Sequence, residues 1–492
     1  MTKDREEEFF SNVENNDEFA TGAGFGIGRV FTFLRQELQK KVWHLMKTNY
    51  RFAVGLGWGL GFTFSYLHEN LQNEVLENIQ KELGFASGFG WGLGFMFTYL
   101  SSDSQQKANL LALQNSQFAY GFGIGLGSLF IYLPKDSQQE IWKRAERNAQ
   151  FAIGLGEGLG AIIGFLPLSS QDEIFARMKQ NIPLSRGLGS GLGCTHSYLK
   201  DNIIPSKVLG YIKENKEFCR GYGEGLGRIF CYWTKSTLND VIKLNTALKG
   251  IGVQFAIGLG EGIGQLLPYG IWQSITNRSI DNDATSSSVG NTNKHAPTLI
   301  KLFALDGFSY GVGLGFSSIV EFIPEQTRTS ILQVLIPKYQ NFAFGFGNGV
   351  GRAFPSLSQE LREEALELVE RSNEFAAGLG QGLGFSFKYL EPIVQQGLMI
   401  FMERSNEFAA GLGQGLGNIF PSLSQEQQEE ALELVERSNE FAAGLGQGLS
   451  HNLAYLDEMS QAKLGSAKIK DYANNPLPGS EKKRHQCRIC SS

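Results

Sequence analysis

The sequence predicts an all-α protein: a solenoid of about thirteen stacked helix pairs, each about 33 residues long. Three observations predict it. A glycine-rich segment led by an aromatic residue recurs at near-constant spacing, an apolar stripe runs through that segment at helical intervals, and a polar amphipathic stretch follows each copy.

The clearest copy reads Phe375-Ala-Ala-Gly-Leu-Gly-Gln-Gly-Leu-Gly384, and it recurs from Phe408 and, ending in Ser, from Phe441. Looser copies in the same phase open at Phe19, Phe52, Phe85, Phe118 and Phe151. Leu184, Phe218, Phe255, Phe308 and Phe342 continue the series, with insertions before Phe255 and before Phe308.

Gly378, Gly380, Gly382 and Gly384 alternate with larger residues, which taken alone is a strand period. Phe375, Leu379, Leu383, Phe387 and Leu390 instead fall every three or four residues, a continuous helical stripe. On that helix the glycines form two pairs four residues apart, Gly378/Gly382 and Gly380/Gly384, on either side of the outward positions 377 and 381. Small residues at this spacing let helices approach backbone to backbone, as membrane helices do. Each glycine costs about 1 kcal/mol relative to alanine in a helix, so only close packing against neighbours could offset four of them. A strand of this length would far exceed the usual ~5–6 residues. A strand-plus-helix array is the alternative that the glycine alternation leaves open.

Tyr66-Leu67, Tyr99-Leu100, Tyr132-Leu133, Tyr198-Leu199 and Tyr389-Leu390 close the first halves. In the second half that follows Ser358, Leu361, Ala365 and Leu368/Val369 share one helical face. Ser358 is expected to cap that helix and Glu360 to complement its positive end. Asn373 is expected to stop it in a left-handed conformation.

Along the chain, residues 1–18 read as an acidic half-unit capping the front of the stack. Residues 19–273 form a first repeat block, 274–297 a polar aperiodic loop, 298–475 a second block, and 476–492 a basic tail. The stretch from Phe408 nearly copies that from Phe342, so the array grew by duplication.

Composition narrows the function classes. Glycine supplies 61 of 492 residues, well above the average share of about 7%, while hydrophobic residues at 42% suffice for a large core. A net charge of −5 with no basic stripe argues against nucleic acid as a partner. The glycines read G-x-G-x-G-x-G, which fits neither the dinucleotide fingerprint nor a phosphate loop. The six histidines are scattered and form no catalytic spacing, and His196 stands where most copies have Phe. The expectation is no enzyme and no catalytic residues.

The functional signal lies at the outward positions. The seventh position of the unit carries Phe25, Trp58, Trp91, Ile124, Glu157, Ser190, Glu224, Glu261, Leu314, Asn348, Gln381, Gln414 and Gln447, and the third adds Tyr120, Arg186, Arg220, Tyr310 and Phe344. If the helices stack in parallel, these side chains make a ladder that begins aromatic, turns acidic and ends in amides. Repeat arrays bind along such faces, and aromatics anchor interfaces. The competing reading is that the ladder only fills contacts between neighbouring helices.

In the tail, His485, Cys487 and Cys490 offer three zinc ligands, one short of a structural site. No other cofactor is expected. The charged N-terminus lacks the apolar core of a signal peptide, which predicts a cytoplasmic protein. The unit length of 33–34 residues resembles that of helix-pair solenoids of the TPR and HEAT kind. The TPR signature and the ankyrin Thr-Pro-Leu-His are absent, so the resemblance covers architecture alone. These observations together predict a non-enzymatic protein- or peptide-binding scaffold. The alternative is a membrane-associated glycine-rich protein, against which stand apolar segments of only ~16 residues where ~20 are needed to span.

Overall fold

A computed structural model describes residues 3–449, apart from 16, 197–203, 234, 267–301, 304 and 324. The described residues are all-α with no strand, so the glycine-rich halves are helices and the strand-plus-helix alternative falls. The chain divides into two compact units, Met1–Ile229 and Phe230–Ser492. The expected loop at 274–297 and the basic tail with His485, Cys487 and Cys490 lie outside the described residues.

The first unit opens with α1 (Lys3–Asn15), α2 (Asp17–Val30), α3 (Gln36–Thr48) and α4 (Tyr50–Thr63). From α2 onward, a glycine helix, a three-residue 3₁₀ turn and a polar helix alternate, as in α4, Phe64–Tyr66 and Glu69–Lys81. In the second unit Gly252–Leu266 is a glycine helix, and the same alternation is described through the glycine helices Phe308–Ser317, Gln340–Ala353, Asn373–Ser386, Asn406–Ile419 and Asn439–Leu449.

Most glycine helices begin at an extended polar cap; Phe308–Ser317 instead starts at Gly307, left-handed at φ 84°. The Asn49 carboxamide oxygen accepts from the Phe52 amide at 2.9 Å, and Asn115, Asn148, Asn181 and Asn215 do the same. Their side-chain amides reach further. Asn49 Nδ2 donates to the Val13 carbonyl, Asn115 to Ile79, Asn148 to Ala112 and Asn181 to Ala145, each in the polar helix one repeat before the one that has just ended. One residue type therefore starts a helix and ties it to its predecessor.

The expected left-handed stop at Asn373 is not formed. Ser372 is the cap, extended at φ −148° and ψ 117°, and Asn373 is already helical. The hydroxyl reaches the Phe375 amide from extended backbone, so the chain needs no left-handed residue there. Ser358 caps its polar helix as expected, and Ser424 does so with Gln427 in a reciprocal capping box. At the turns, Gln72 Nε2 donates to the carbonyls of Phe64 and Leu67, and Gln39, Gln105, Gln138, Gln395 and Gln428 repeat the arrangement.

The apolar stripe is buried throughout, as Phe375, Leu379, Leu383, Phe387 and Leu390 illustrate. Glycine helices pack side by side with their counterparts in adjacent repeats, and the glycines explain how. A Cβ on Gly55 would lie 2.0 Å from the Thr21 carbonyl oxygen of the preceding glycine helix, and one on Gly59 2.3 Å from that of Phe25. On the other edge, a Cβ on Gly57 would lie 2.3 Å from the Phe85 oxygen and one on Gly61 2.5 Å from that of Phe89, both in the following helix. The two pairs therefore serve two neighbours, as their spacing predicts. The hydrogen in place of each Cβ points at a carbonyl, the geometry of a Cα–H···O contact worth about 0.5–1 kcal/mol. Four such contacts offset much of the ~4 kcal/mol that four helical glycines cost.

At the front of the first unit the pattern is half complete. Gly22 and Gly26 occupy the edge that elsewhere meets a preceding glycine helix, and a Cβ on either would find no atom within 4 Å. The segment 1–18 contributes the polar helix α1, which buries Val13, and leaves this edge of α2 open.

Candidate functional site

Backbone-to-backbone packing decides what becomes of the outward positions. Helices with ordinary side chains pack about 8–10 Å apart, and glycine edges bring them closer. Side chains at the seventh position of successive repeats are thereby pressed against one another. In the first unit Phe25 and Trp58 lie 4.4 Å apart by ring centroids, and Trp58 and Trp91 stack at 4.3 Å with planes 1° apart. Phe62 and Phe95, four residues further along their helices, widen this aromatic column, with 5.7 Å between their centroids. Trp58 and Trp91 are half-buried, and their indole Nε1 atoms have no hydrogen-bond partner among the described residues.

The column turns ionic at Glu157, two repeats after Trp91. Glu157 accepts from the Tyr120 hydroxyl at 2.7 Å and from Ser190 at 3.3 Å. Arg228 meets Glu157 and Glu224, both at 2.7 Å, and Arg186 holds the other oxygen of Glu224 at 3.0 Å. One guanidinium thus joins side chains from successive repeats, passing positions where Ala161 and Cys194 are small enough to leave room. Burial alone would lower the Arg228 pKa, but Glu157, Tyr120 and Glu224 outweigh it and the guanidinium stays charged. Burial raises the Tyr120 phenol well above its ordinary value, and Glu157 adds to the rise. The Cys194 thiol is pushed up to about 12, first by burial and then by Glu157, so it is no nucleophile at neutral pH. His196 is half-buried and bonds the Tyr222 hydroxyl, a packed position in place of the usual Phe. Arg220 is half-buried on the same helix as Glu224.

In the second unit Glu261 is half-buried, and Tyr310 and Phe344 lie 5.9 Å apart by centroids. Asn348 is fully buried and donates to the Gln381 carboxamide oxygen. Its own Oδ1 has no partner among the described residues, because the column's preceding member, Leu314, cannot donate. Gln381 is buried, Gln414 half-buried and Gln447 exposed, so the amide end opens progressively to solvent.

The structure therefore brings ladder residues together in runs, Phe25 to Trp91, Tyr120 to Arg228, Tyr310 with Phe344 and Asn348 with Gln381, more buried than a freely outward position would be. Sequence reasoning passed over Phe62, Phe95 and Arg228, which complete the runs. Their signal was present: each stands four residues after a ladder position, one helical turn away on the same face. Among the described residues no group of three or more His, Cys, Asp or Glu is placed to hold a metal ion, and no helix is long and apolar enough to cross a membrane.

No family model matches the chain, and neither a curated protein nor a solved structure shows significant similarity to it.

Proposed function

We propose that the chain is a non-enzymatic scaffold that binds protein or peptide partners along the column on its glycine helices. The observation that carries this reading is the contrast between a repeated backbone and an unrepeated column. Neighbouring helices meet through glycine and carbonyl atoms in nearly every repeat, Ser317 against Gly349 being the exception among the described residues. The column changes from stacked aromatics through an ion-pair network to amides. A scaffold held by backbone leaves such side chains available for recognition, the usual division of labour in repeat arrays. Tryptophan, tyrosine and arginine, prominent in the first unit's column, are the side chains that most often anchor interfaces.

The test is affinity capture with the full chain, followed by cross-linking and mass spectrometry, against Trp58→Ala/Trp91→Ala. A defined set of cross-linked partners should be lost from the variant while its circular dichroism stays that of the parent. Equal recovery of every partner from both proteins would remove the column from the binding role.

A further inference from the structure

The second unit holds two near-copies of one polar helix, Gln359–Val369 and Gln425–Arg437, with a different helix, Pro392–Arg404, in the repeat between them. At the 33-residue step their positions align directly. Glu360, Glu363, Glu364 and Glu367 of the first, and Glu426, Glu429, Glu430 and Glu433 of the last, correspond to Ile393, Gln396, Gly397 and Ile400.

These are surface positions. Ile393 is 74% exposed and Ile400 52%, and a Cβ on Gly397 would find no atom within 4 Å. The aligned glutamates are exposed too, except Glu364, which is half-buried and holds Arg328 at 2.7 Å. The core face keeps its character: Leu398 and Met402 are buried where the neighbours bury Ala365 and Val369, or Ala431 and Val435. The fold therefore has no need of isoleucine at 393 and 400, because glutamate serves both neighbours there. Single exposed apolar residues are ordinary on protein surfaces. Here two of them replace glutamates on one face of one helix.

Ile393, Gly397 and Ile400 follow at intervals of four and three residues, a stripe along the helix with bare backbone between two branched side chains. Its borders are acidic. The three polar helices belong to consecutive repeats whose glycine helices pack side by side. Gln359–Val369 carries four glutamates and one arginine, and Gln425–Arg437 five and one. Pro392–Arg404 has no charged residue before Glu403. Arg404 meets Glu370 at 3.6 Å, which sets that end of the helix beside the first acidic border.

We infer that this stripe docks a basic amphipathic helix of a partner protein. An apolar centre between carboxylate borders is complemented by an apolar seam between lysine or arginine borders, and a helix displays that pattern at its own period. At Gly397 a large side chain of the seam can settle onto the backbone between the two isoleucines, as a ridge enters a groove. An anionic membrane surface fits poorly, since the carboxylate borders would be repelled. The stripe lies on the polar helices, outside the column, so the inference does not rest on the binding role given to the column.

Fluorescence anisotropy with the full chain tests it, using a labelled synthetic peptide with leucines along one helical face and lysines elsewhere. One control peptide has glutamate for lysine, and a second has the same composition with its leucines spread around the helix. The parent is expected to bind the first peptide alone, and more weakly as salt is raised. Ile393→Glu/Ile400→Glu should weaken binding at least about tenfold, as loss of interface anchors does. Attraction by charge alone would be strengthened by two further carboxylates, so the sign of the change isolates the stripe. Both neighbours already carry glutamate at these positions, and an unchanged thermal transition verifies the fold. Glu363→Gln/Glu367→Gln/Glu429→Gln/Glu433→Gln should weaken binding and flatten its salt dependence, while Trp58→Ala/Trp91→Ala should bind like the parent. A parent that does not bind, equal binding of the spread-leucine peptide, or an isoleucine double variant as tight as the parent would overturn the inference. So would binding to phosphatidylserine-containing vesicles that the same double variant abolishes, which would assign the stripe to a membrane.

Discussion

Glycine helices in the two units start with different caps. In residues 1–229, Asn49, Asn115, Asn148 and Asn181 each accept from their own helix and donate to a carbonyl 36 residues earlier, in the preceding repeat. In the second unit, Ser372, Ser405 and Ser438 accept from their own helices, and a serine is too short to make the second bond. The columns differ in the same direction. The first unit has an arginine bonded to carboxylates of its own and another repeat, while the second has a neutral amide pair. Both units share the glycine–carbonyl packing, with one departure in the second, where Ser317 replaces a glycine and its side chain faces Gly349. The backbone interface is therefore the constant of the array, and side-chain ties between repeats are additions to it that experiment can remove one at a time.

Removing the constant should cost most, and equally in both units. A Cβ on Gly121 would lie 1.8 Å from the Ser87 oxygen, and one on Gly382 2.2 Å from that of Asn348, both backbone atoms that cannot step aside. Gly121→Ala and Gly382→Ala should each destabilise by about 3 kcal/mol or more, the upper range for overpacking. Thermal denaturation of either variant at the parent temperature would refute backbone contact. Next comes Arg228→Met, which leaves Glu157 and Glu224 without their shared partner and should cost about 2–3 kcal/mol in chemical denaturation, somewhat below fully buried pairs. A loss below a few tenths would mean that the network is solvated in solution.

The cap comparison sharpens into an exchange. Asn148→Ser should lose about 1 kcal/mol, one net hydrogen bond, and Ser405→Asn should gain a similar amount by reaching the Val369 carbonyl. An exchange with the signs reversed would show that the asparagine bond is not stabilising. Alkaline pH provides a separate probe of the first unit. Tyr120 and Cys194 have folded-state pKa values raised above their unfolded ones, so folding favours their protonated forms. Their contribution is complete below about pH 8.5–10, the range of the unfolded groups, and is lost as pH rises from there through the folded values. Urea denaturation on either side of pH 10 should report that decline, and Cys194 should resist alkylation at pH 8 until the chain is unfolded. The smallest effect has the opposite sign: Gly22→Ala, with nothing near its Cβ, should stabilise by about 1 kcal/mol or less. Destabilisation there would mean that this edge of α2 is covered in solution.

Much of the fold was legible in the sequence because its determinants are periodic. The four-residue spacing of Gly378/Gly382 and Gly380/Gly384 assigns each pair to one helix edge, and the stripe from Phe375 to Leu390 assigns the buried face. What escaped depends on distance between chain segments. Asn373 has the composition of a left-handed stop, but whether a preceding serine can reach an amide is a matter of local geometry. Tyr66 and Leu67 are adjacent and both apolar in body, and only the 3₁₀ turn separates them into exposed ring and buried leucine. The candidate site was legible as a set of positions and not as a packed column. Its closeness, and so the burial of Gln381 and the reach of Arg228, follows from how near glycine lets the helices come.

An interface built from main-chain atoms has an evolutionary consequence. Because carbonyls and glycine hydrogens recur in nearly every copy, most repeats can follow one another without co-adapted side chains. Duplication, deletion and shuffling of whole units then leave the joints intact, as in the near-identical stretches from Phe342 and Phe408. The array can lengthen first and diversify its column afterwards, whereas an interface of interlocking side chains would require both at once.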